Sequence, residues 1–268
     1  MFWTWPSGPK LKLFPTNCTI GHIWDIQWSG ISEHIVKISN EREAFKISTA
    51  DLNVYLSAIL ITGLTPEPAI EDYFKRDLNG IFGSTWMQQH LTCKIWHQFH
   101  VHTHFDPNEI MKQFNINIKS CWNLHQVVII DEMMVPFHGK WTYRQYIKGK
   151  PHNTGLKMYC LADSSYYLWD FWLYQGKEST RIHSPKQIVL DFADIMVQHH
   201  SLQPFIIVAD SYYGSLEAAY ALHYKKLGFL FSCKKNMPSR IFSQHLHTLI
   251  QKSQWQEIHN REMSAITF

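Results

Sequence analysis

The 268-residue chain has only five cysteines, Cys18, Cys93, Cys121, Cys160 and Cys233, odd in number, scattered and never spaced as C-x-x-C. Such a set supports neither a disulfide framework nor a zinc finger, and fits a reducing compartment. Charge is also scarce: charged residues make up 18%, and a formal net of +3 is too small to demonstrate an anionic partner by itself. Long apolar runs are missing. The longest, around residues 55–64, is too short to span a bilayer, and the amino terminus lacks the basic-then-apolar order of a signal peptide. The expectation is a chain neither inserted in a membrane nor secreted. No internal repeat or low-complexity tract is present. What is present is a globular balance, 45% hydrophobic and 15% aromatic with 11 Trp, in a length that holds one large or two small domains with a sizeable core.

Three regions differ in pattern. Residues 1–47 carry Pro6, Pro9 and Pro15 without clean periodicity and read as an irregular segment. In residues 48–126 helical signals dominate. Leu52, Tyr55, Leu56, Ile59 and Leu60 recur at helical spacing behind a cap at Ser48 or Thr49, a second helix fits residues 69–74, and a third opens at a Thr85–Gln88 capping box and runs toward His97. Residues 127–268 turn strand-rich. The β-branched run Val127, Val128, Ile129, Ile130 predicts a strand buried on both faces, followed by strands over 156–162 and 167–174 joined at Asp163, Ser164 and Ser165. A helix starts at Ser184 with Pro185 at its first position and Gln187 closing a capping box. A strand over 204–209, a helix capped by Ser215 and a strand over 228–232 complete an α/β sheet region.

Two acids stand out, Asp131 and Asp210, each closing an apolar strand and separated by 79 positions (210 − 131). In open α/β sheets sites form at the carboxyl ends of strands, so acids there converge if their strands are neighbours. Convergent carboxylates hold a hard divalent cation, and such ions support phosphoryl transfer. Beyond Asp131, Lys140, Arg144, Lys148, Lys150 and Lys157 interleave with Trp141, Tyr143 and Tyr146, and no acid lies between His138 and Lys157. Cations neutralise phosphates and aromatic faces stack on bases, whereas the bland reading is a solvated basic loop. Lys234 and Lys235 form a smaller basic cluster after the last strand.

The stretch Ile130-Asp131-Glu132-Met133-Met134-Val135-Pro136-Phe137-His138-Gly139-Lys140, then Arg144-Gln145-Tyr146-Ile147-Lys148-Gly149-Lys150-Pro151 and Gly155-Leu156-Lys157, resembles the signature around the first catalytic aspartate of piggyBac-type DDE transposases. Leu173-Tyr174-Gln175-Gly176-Lys177 resembles that family's strand-end motif, and Asp210-Ser211-Tyr212-Tyr213-Gly214-Ser215 its second-aspartate segment. Residues 51–64, Asp72-Tyr73-Phe74 and the helix around Trp86 are similar, more weakly, to its helical dimerisation and DNA-binding region. The resemblance implies an α/β fold, an RNase H-like mixed sheet flanked by helices and preceded by a mainly α-helical region. It also implies DNA transposition in the nucleus, Mg2+ or Mn2+ as cofactor, and DNA ends and target as partners, in a homodimer. Asp131 and Asp210 would be catalytic and metal-binding, and Lys140, Arg144, Lys148, Lys150, Lys157, Lys234 and Lys235 DNA-binding. The family's third acid falls beyond the 58 residues (268 − 210) that follow Asp210, so the expectation is a chain inactive alone. Two other readings stay open: a noncatalytic DNA-binding or protein-interaction module, and a decaying transposon fragment.

Other features carry less. His100, His102 and His104 would share one face if extended and could then hold a metal, but a solvated loop is preferred. Asp163 reads as a turn residue, and Glu132 should point to the strand face opposite Asp131.

Overall fold

The computed structural model describes residues 8–10, 18–75, 83–176, 184–200, 204–232, 256–259 and 264–267. They fall into two compact units, 10–121 and 1–9 with 122–268.

The first unit is helical. In chain order it holds α1 (Ile20–Trp28), α2 (Ile31–Arg42), α3 (Thr49–Leu64), a 3-10 turn (Ile70–Phe74), α4 (Thr85–His90), α5 (Cys93–His102) and α6 (Pro107–Cys121). Residues 1–47 are therefore not wholly irregular: α2 turns Ile31, Ile35 and Ser39 inward at fourfold spacing. The cap of α3 follows the sequence, since Ser48 Oγ accepts from Asp51 N at 3.2 Å while Asp51 Oδ2 accepts from Ser48 N at 2.8 Å. Leu52 and Tyr55 are buried as expected, but Ile59 and Leu60 are exposed. The helix expected from Thr85 is two, capped by Ser84 and Thr92, because Leu91 and Thr92 leave the helical path. The core joins Ile31, Leu52, Tyr55, Met87, Trp96 and Phe99. Asn117 of α6 donates from Nδ2 to Gln27 O at 2.8 Å and to Ser29 O at 2.9 Å, satisfying carbonyls that α1 leaves open at its end.

The second unit begins with a two-residue ladder of β1 (Gly8–Pro9) and β2 (Trp122–Asn123). Its main sheet contains β3 (Val127–Pro136), β4 (Gln145–Tyr146), β5 (Thr154–Asp163), β6 (Leu168–Leu173), β7 (Ile206–Ala209) and β8 (Gly228–Phe231), with helices α7 (Pro185–His199) and α8 (Leu216–Tyr224); β9 (Gln256–His259) and β10 (Ser264–Thr267) form a separate hairpin. Across the sheet the order is β6, β5, β3, β7, β8: β6, β5 and β3 are antiparallel neighbours, while β3, β7 and β8 run parallel. That is the mixed sheet expected. Ile188, Val189, Phe192, Ala193 and Met196 of α7 pack on Val128, Ile130, Leu161, Trp169 and Ile207, and Trp172 stacks on Phe192 with ring centroids 4.0 Å apart. Ser184 caps α7 by accepting from Gln187 N at 3.2 Å, but the Gln187 amide turns to Asp191 Oδ1 at 2.7 Å, so only half of the expected capping box forms.

Asp163, at the end of β5, is fully buried and ties the sheet to β2. It accepts from Trp122 Nε1 at 2.6 Å, Ser165 N at 2.9 Å and Ser165 Oγ at 2.5 Å, and its Oδ2 lies 2.7 Å from His125 Nδ1. It is a structural anchor, as the turn reading expected.

Gly155 sits in β5 between Pro136 of β3 and Gln145 of β4, and a Cβ there would meet Val135 O at 2.1 Å. Backbone cannot retreat as a flexible side chain can. Gly155→Ala should lower stability by about 1–3 kcal/mol, read as a reduced urea midpoint at unchanged slope; an unchanged midpoint would contradict this packing.

Candidate functional site

β3 has two different neighbours along its length, and the difference creates the site. Against β7 the parallel register runs Val127–Ile206 to Ile130–Ala209 and stops; against β5 the antiparallel register continues from Val128 to Pro136. The strand therefore does not close at Ile130, as the β-branched run suggested. Asp131 is the next residue of β3 where the parallel pairing ends, and Asp210 is the next residue after β7. The register brings the two aspartates side by side, both exposed.

Each carboxylate uses one oxygen to set its local backbone. Asp131 Oδ1 accepts from Glu132 N at 2.7 Å and Asp210 Oδ1 accepts from Tyr212 N at 2.9 Å. Asp210 O also accepts from Gly214 N at 2.9 Å, folding the loop back before α8. Neither Oδ2 has a hydrogen-bond donor among the described residues. Partial burial, then the charges of Glu132 and Asp210, push the Asp131 carboxyl above its ordinary value, against the pull of the Glu132 amide and Lys150. Two hard oxygens on adjacent strands with mutual repulsion fit a divalent cation, which would relieve that repulsion.

Glu132 points to the core face, as strand alternation requires. Its Oε2 accepts from Tyr213 Oη at 3.0 Å, and its Oε1 is 3.0 Å from Lys150 Nζ. Burial raises the Glu132 carboxyl, but Lys150 and Tyr213 outweigh it and hold it below the ordinary value. Burial and then Glu132 push the Tyr213 hydroxyl far up, so it stays a donor.

The basic strip is divided in its use. Lys150 feels Glu132, Asp131 and Asp210 together, and Lys157 Nζ lies over the rings of Tyr159 at 4.9 Å and Tyr212 at 5.3 Å. Arg144 is exposed but folds back on its own loop, its Nη1 donating to His138 O at 3.1 Å and Gly139 O at 3.0 Å. Lys140 and Lys148 are exposed. Trp141 makes edge contacts with Phe137 and Tyr143 at 6.3 and 5.8 Å, while Tyr146 is 68% exposed and can meet a partner. Lys234 and Lys235 lie outside the described residues. Tyr213 lies in the Asp210-Ser211-Tyr212-Tyr213 segment, but nothing in that pattern marks it as the partner of Glu132.

The histidine run lies in the helical unit and is mostly helix, not loop or extended chain. Tyr55 Oη is 3.0 Å from His100 Nδ1, while His102 Nδ1 and His104 Nε2 lie 3.0 and 2.7 Å from Glu43 oxygens. The three do not share one face, because α5 runs through His102.

The Transposase IS4 family profile matches residues 27–268. The chain belongs to the Transposase IS4 family. Among curated proteins, this family member is 24% identical over 190 residues to human PiggyBac transposable element-derived protein 3, covering 63% of the chain and 32% of the relative. It is likewise 24% identical over 190 residues to the human Chimeric ERCC6-PGBD3 protein, covering 63% of the chain and 18% of that protein. The chain thus spans a third or less of the curated relatives it matches. A cryo-EM structure of a piggyBac transposase synaptic complex with hairpin DNA superposes with a TM-score of 0.80 at 14% identity, covering 97% of this chain and 60% of that one. The Transposase IS4 family member has a mixed α/β, RNase H-like fold.

Proposed function

We propose that Asp131 and Asp210 hold a divalent cation, Mg2+ or Mn2+, in a site for phosphodiester chemistry on DNA. The observation that carries this reading is the β3–β7 register, which sets both carboxylates at the point where parallel pairing stops. When bound, the ion would polarise a phosphoryl oxygen and acidify an attacking water or 3′-hydroxyl. The protein's own part is orientation: the Glu132 and Tyr212 amides aim the carboxylates, and Lys150 holds positive charge beside them. DNA would lie along Lys140, Lys148, Lys150 and Lys157, with Tyr146 and Tyr212 as stacking faces. With DNA as substrate, the nucleus would be the compartment for this work. A homodimer would present two such sites to two DNA ends.

By resemblance, these 268 residues carry two of the triad's three acids. Incubated alone with transposon-end DNA and Mg2+, this polypeptide should give little or no strand transfer; robust joining, abolished by Asp210→Asn, would overturn that expectation.

A noncatalytic DNA-binding role is the second reading, favoured by the exposure of Lys140 and Lys148. DNA affinity should then survive Asp131→Ala, and Lys140→Ala with Lys148→Ala should reduce the slope of log affinity against log salt by about 0.9 for each phosphate no longer neutralised. Absence of DNA binding at low salt would sink this reading.

A further inference from the structure

Glu71 in the 3-10 turn and Cys93 and His97 in α5 offer one carboxylate oxygen, one Sγ and one imidazole nitrogen that all lie within 4.8 Å of one another. We infer that these three side chains form a zinc site that staples the 3-10 turn to α5 in the helical unit.

Cys93 and His97 are four residues apart on one helix, so one turn of backbone presents both toward the same point. Glu71 comes from the neighbouring element, and its Oε1 is 3.5 Å from His97 Nε2. A tetrahedral zinc separates sulfur and nitrogen or oxygen ligands by roughly 3.3–3.8 Å, so rotamer adjustments of about an ångström close the cluster around an ion. Thiolate, imidazole and carboxylate together suit zinc better than magnesium or calcium, which prefer oxygen alone. Three protein ligands leave a fourth position for water.

The local electrostatics disfavour the thiolate until a cation is present. Burial, then the Glu71 charge, push the Cys93 thiol above its ordinary value, so without a cation carboxylate and thiolate oppose each other. An ion reverses that relation: the Cys93 proton leaves to solvent, sulfur binds as thiolate, and neutral His97 lends its lone pair. Cys93 is also the first residue of α5, where the unpaired helix amides favour a negative sulfur. The nearby Lys75 does not occupy the cluster, because its ammonium is paired with Asp72. The His102 and His104 contacts to Glu43 lie elsewhere in the unit and leave this cluster its own ligands.

The test is titration of the full chain, stripped with chelator, with Co2+ as a spectroscopic substitute and Zn2+ as competitor. One equivalent of Co2+ should bring a near-ultraviolet sulfur-to-cobalt charge-transfer band with tetrahedral visible bands, and Zn2+ should displace it. Cys93→Ser should remove the charge-transfer band. His97→Ala should keep the band but weaken affinity at least about tenfold, and Glu71→Gln should weaken it in the same direction. Saturating Zn2+ should raise the melting temperature of the wild type but not of Cys93→Ser. If Cys93→Ser fails to fold, His97→Gln with the same affinity readout decides. A charge-transfer band that persists in folded Cys93→Ser, octahedral cobalt without sulfur ligation, or unchanged affinity in His97→Ala or His97→Gln would each overturn the site.

Discussion

Mn2+ affinity, measured by calorimetry or by loss of the free-ion electron paramagnetic resonance signal, should fall at least about a hundredfold when Asp131 and Asp210 both become Asn. An amide oxygen is a poorer ligand and carries no charge, while its size preserves packing. Each single variant should show a smaller loss, because one carboxylate still anchors a hydrated ion. Binding should also strengthen as pH rises through the mildly acidic range, since Asp131 is held above its ordinary value and must shed its proton before it can ligate. Glu132 provides the control. Glu132→Gln removes the same single charge as either Asn substitution alone, yet its side chain points to the opposite strand face from Asp131 and is held by Tyr213 and Lys150. If that variant lost as much affinity as the aspartate pair, the ion would be responding to bulk negative charge and the two-carboxylate site would be wrong.

Asp163→Asn should destabilise the sheet unit by about 3 kcal/mol, seen as a melting temperature lowered by roughly 10 °C. The carboxylate is fully buried and meets the Trp122 indole, the His125 imidazole, and the Ser165 amide and hydroxyl. Replacing one oxygen with an NH2 group turns a donor toward donors. Burial alone would raise its pKa, but Ser165, His125 and Trp122 together pull it down to about 2. A folded value below the unfolded one means stability fully present above about pH 4 and lost as pH falls through about 2, a contribution of roughly 2 kcal/mol. Wild-type stability should fall across that window, whereas Asp163→Asn should show a flatter acid limb. An Asn variant with wild-type midpoint and slope would show that these bonds contribute nothing net.

The parts of this molecule legible in the sequence are those in which local pattern and tertiary demand coincide. Val128 and Ile130 are fully buried and Val127 and Ile129 only partly, so the two-faced burial expected is realised on one face, and that pressure is written into the β-branched run ahead of Asp131. The caps at Ser48, Ser184 and Ser215 act within three residues, so a short window suffices to see them. The extension of β3 through Met133 to Pro136 is hidden, because pairing with β5 decides it and neither methionine nor proline signals a strand. α2 is obscured by its mixed buried stripe of isoleucines and serines. In the histidine run, the Thr92 cap and the buried Trp96 and Phe99 decide for helix over the alternation that suggested an extended chain. At the site, Asp131 and Asp210 can be paired from sequence because each follows an apolar strand. The partners of Glu132 cannot: Tyr213 lies 81 positions away, and only the folded sheet brings it back.

The Tyr213 to Glu132 bond has a mechanical consequence. It links the residue after Asp131 to a residue in the turn after Asp210, on the sheet face away from the carboxylates. The pair therefore acts as a rear brace, so that splaying the two aspartates apart requires breaking a hydrogen bond in the interior. Alignment of the carboxylates is settled during folding, and an arriving ion or phosphate encounters them with little orientational entropy left to lose.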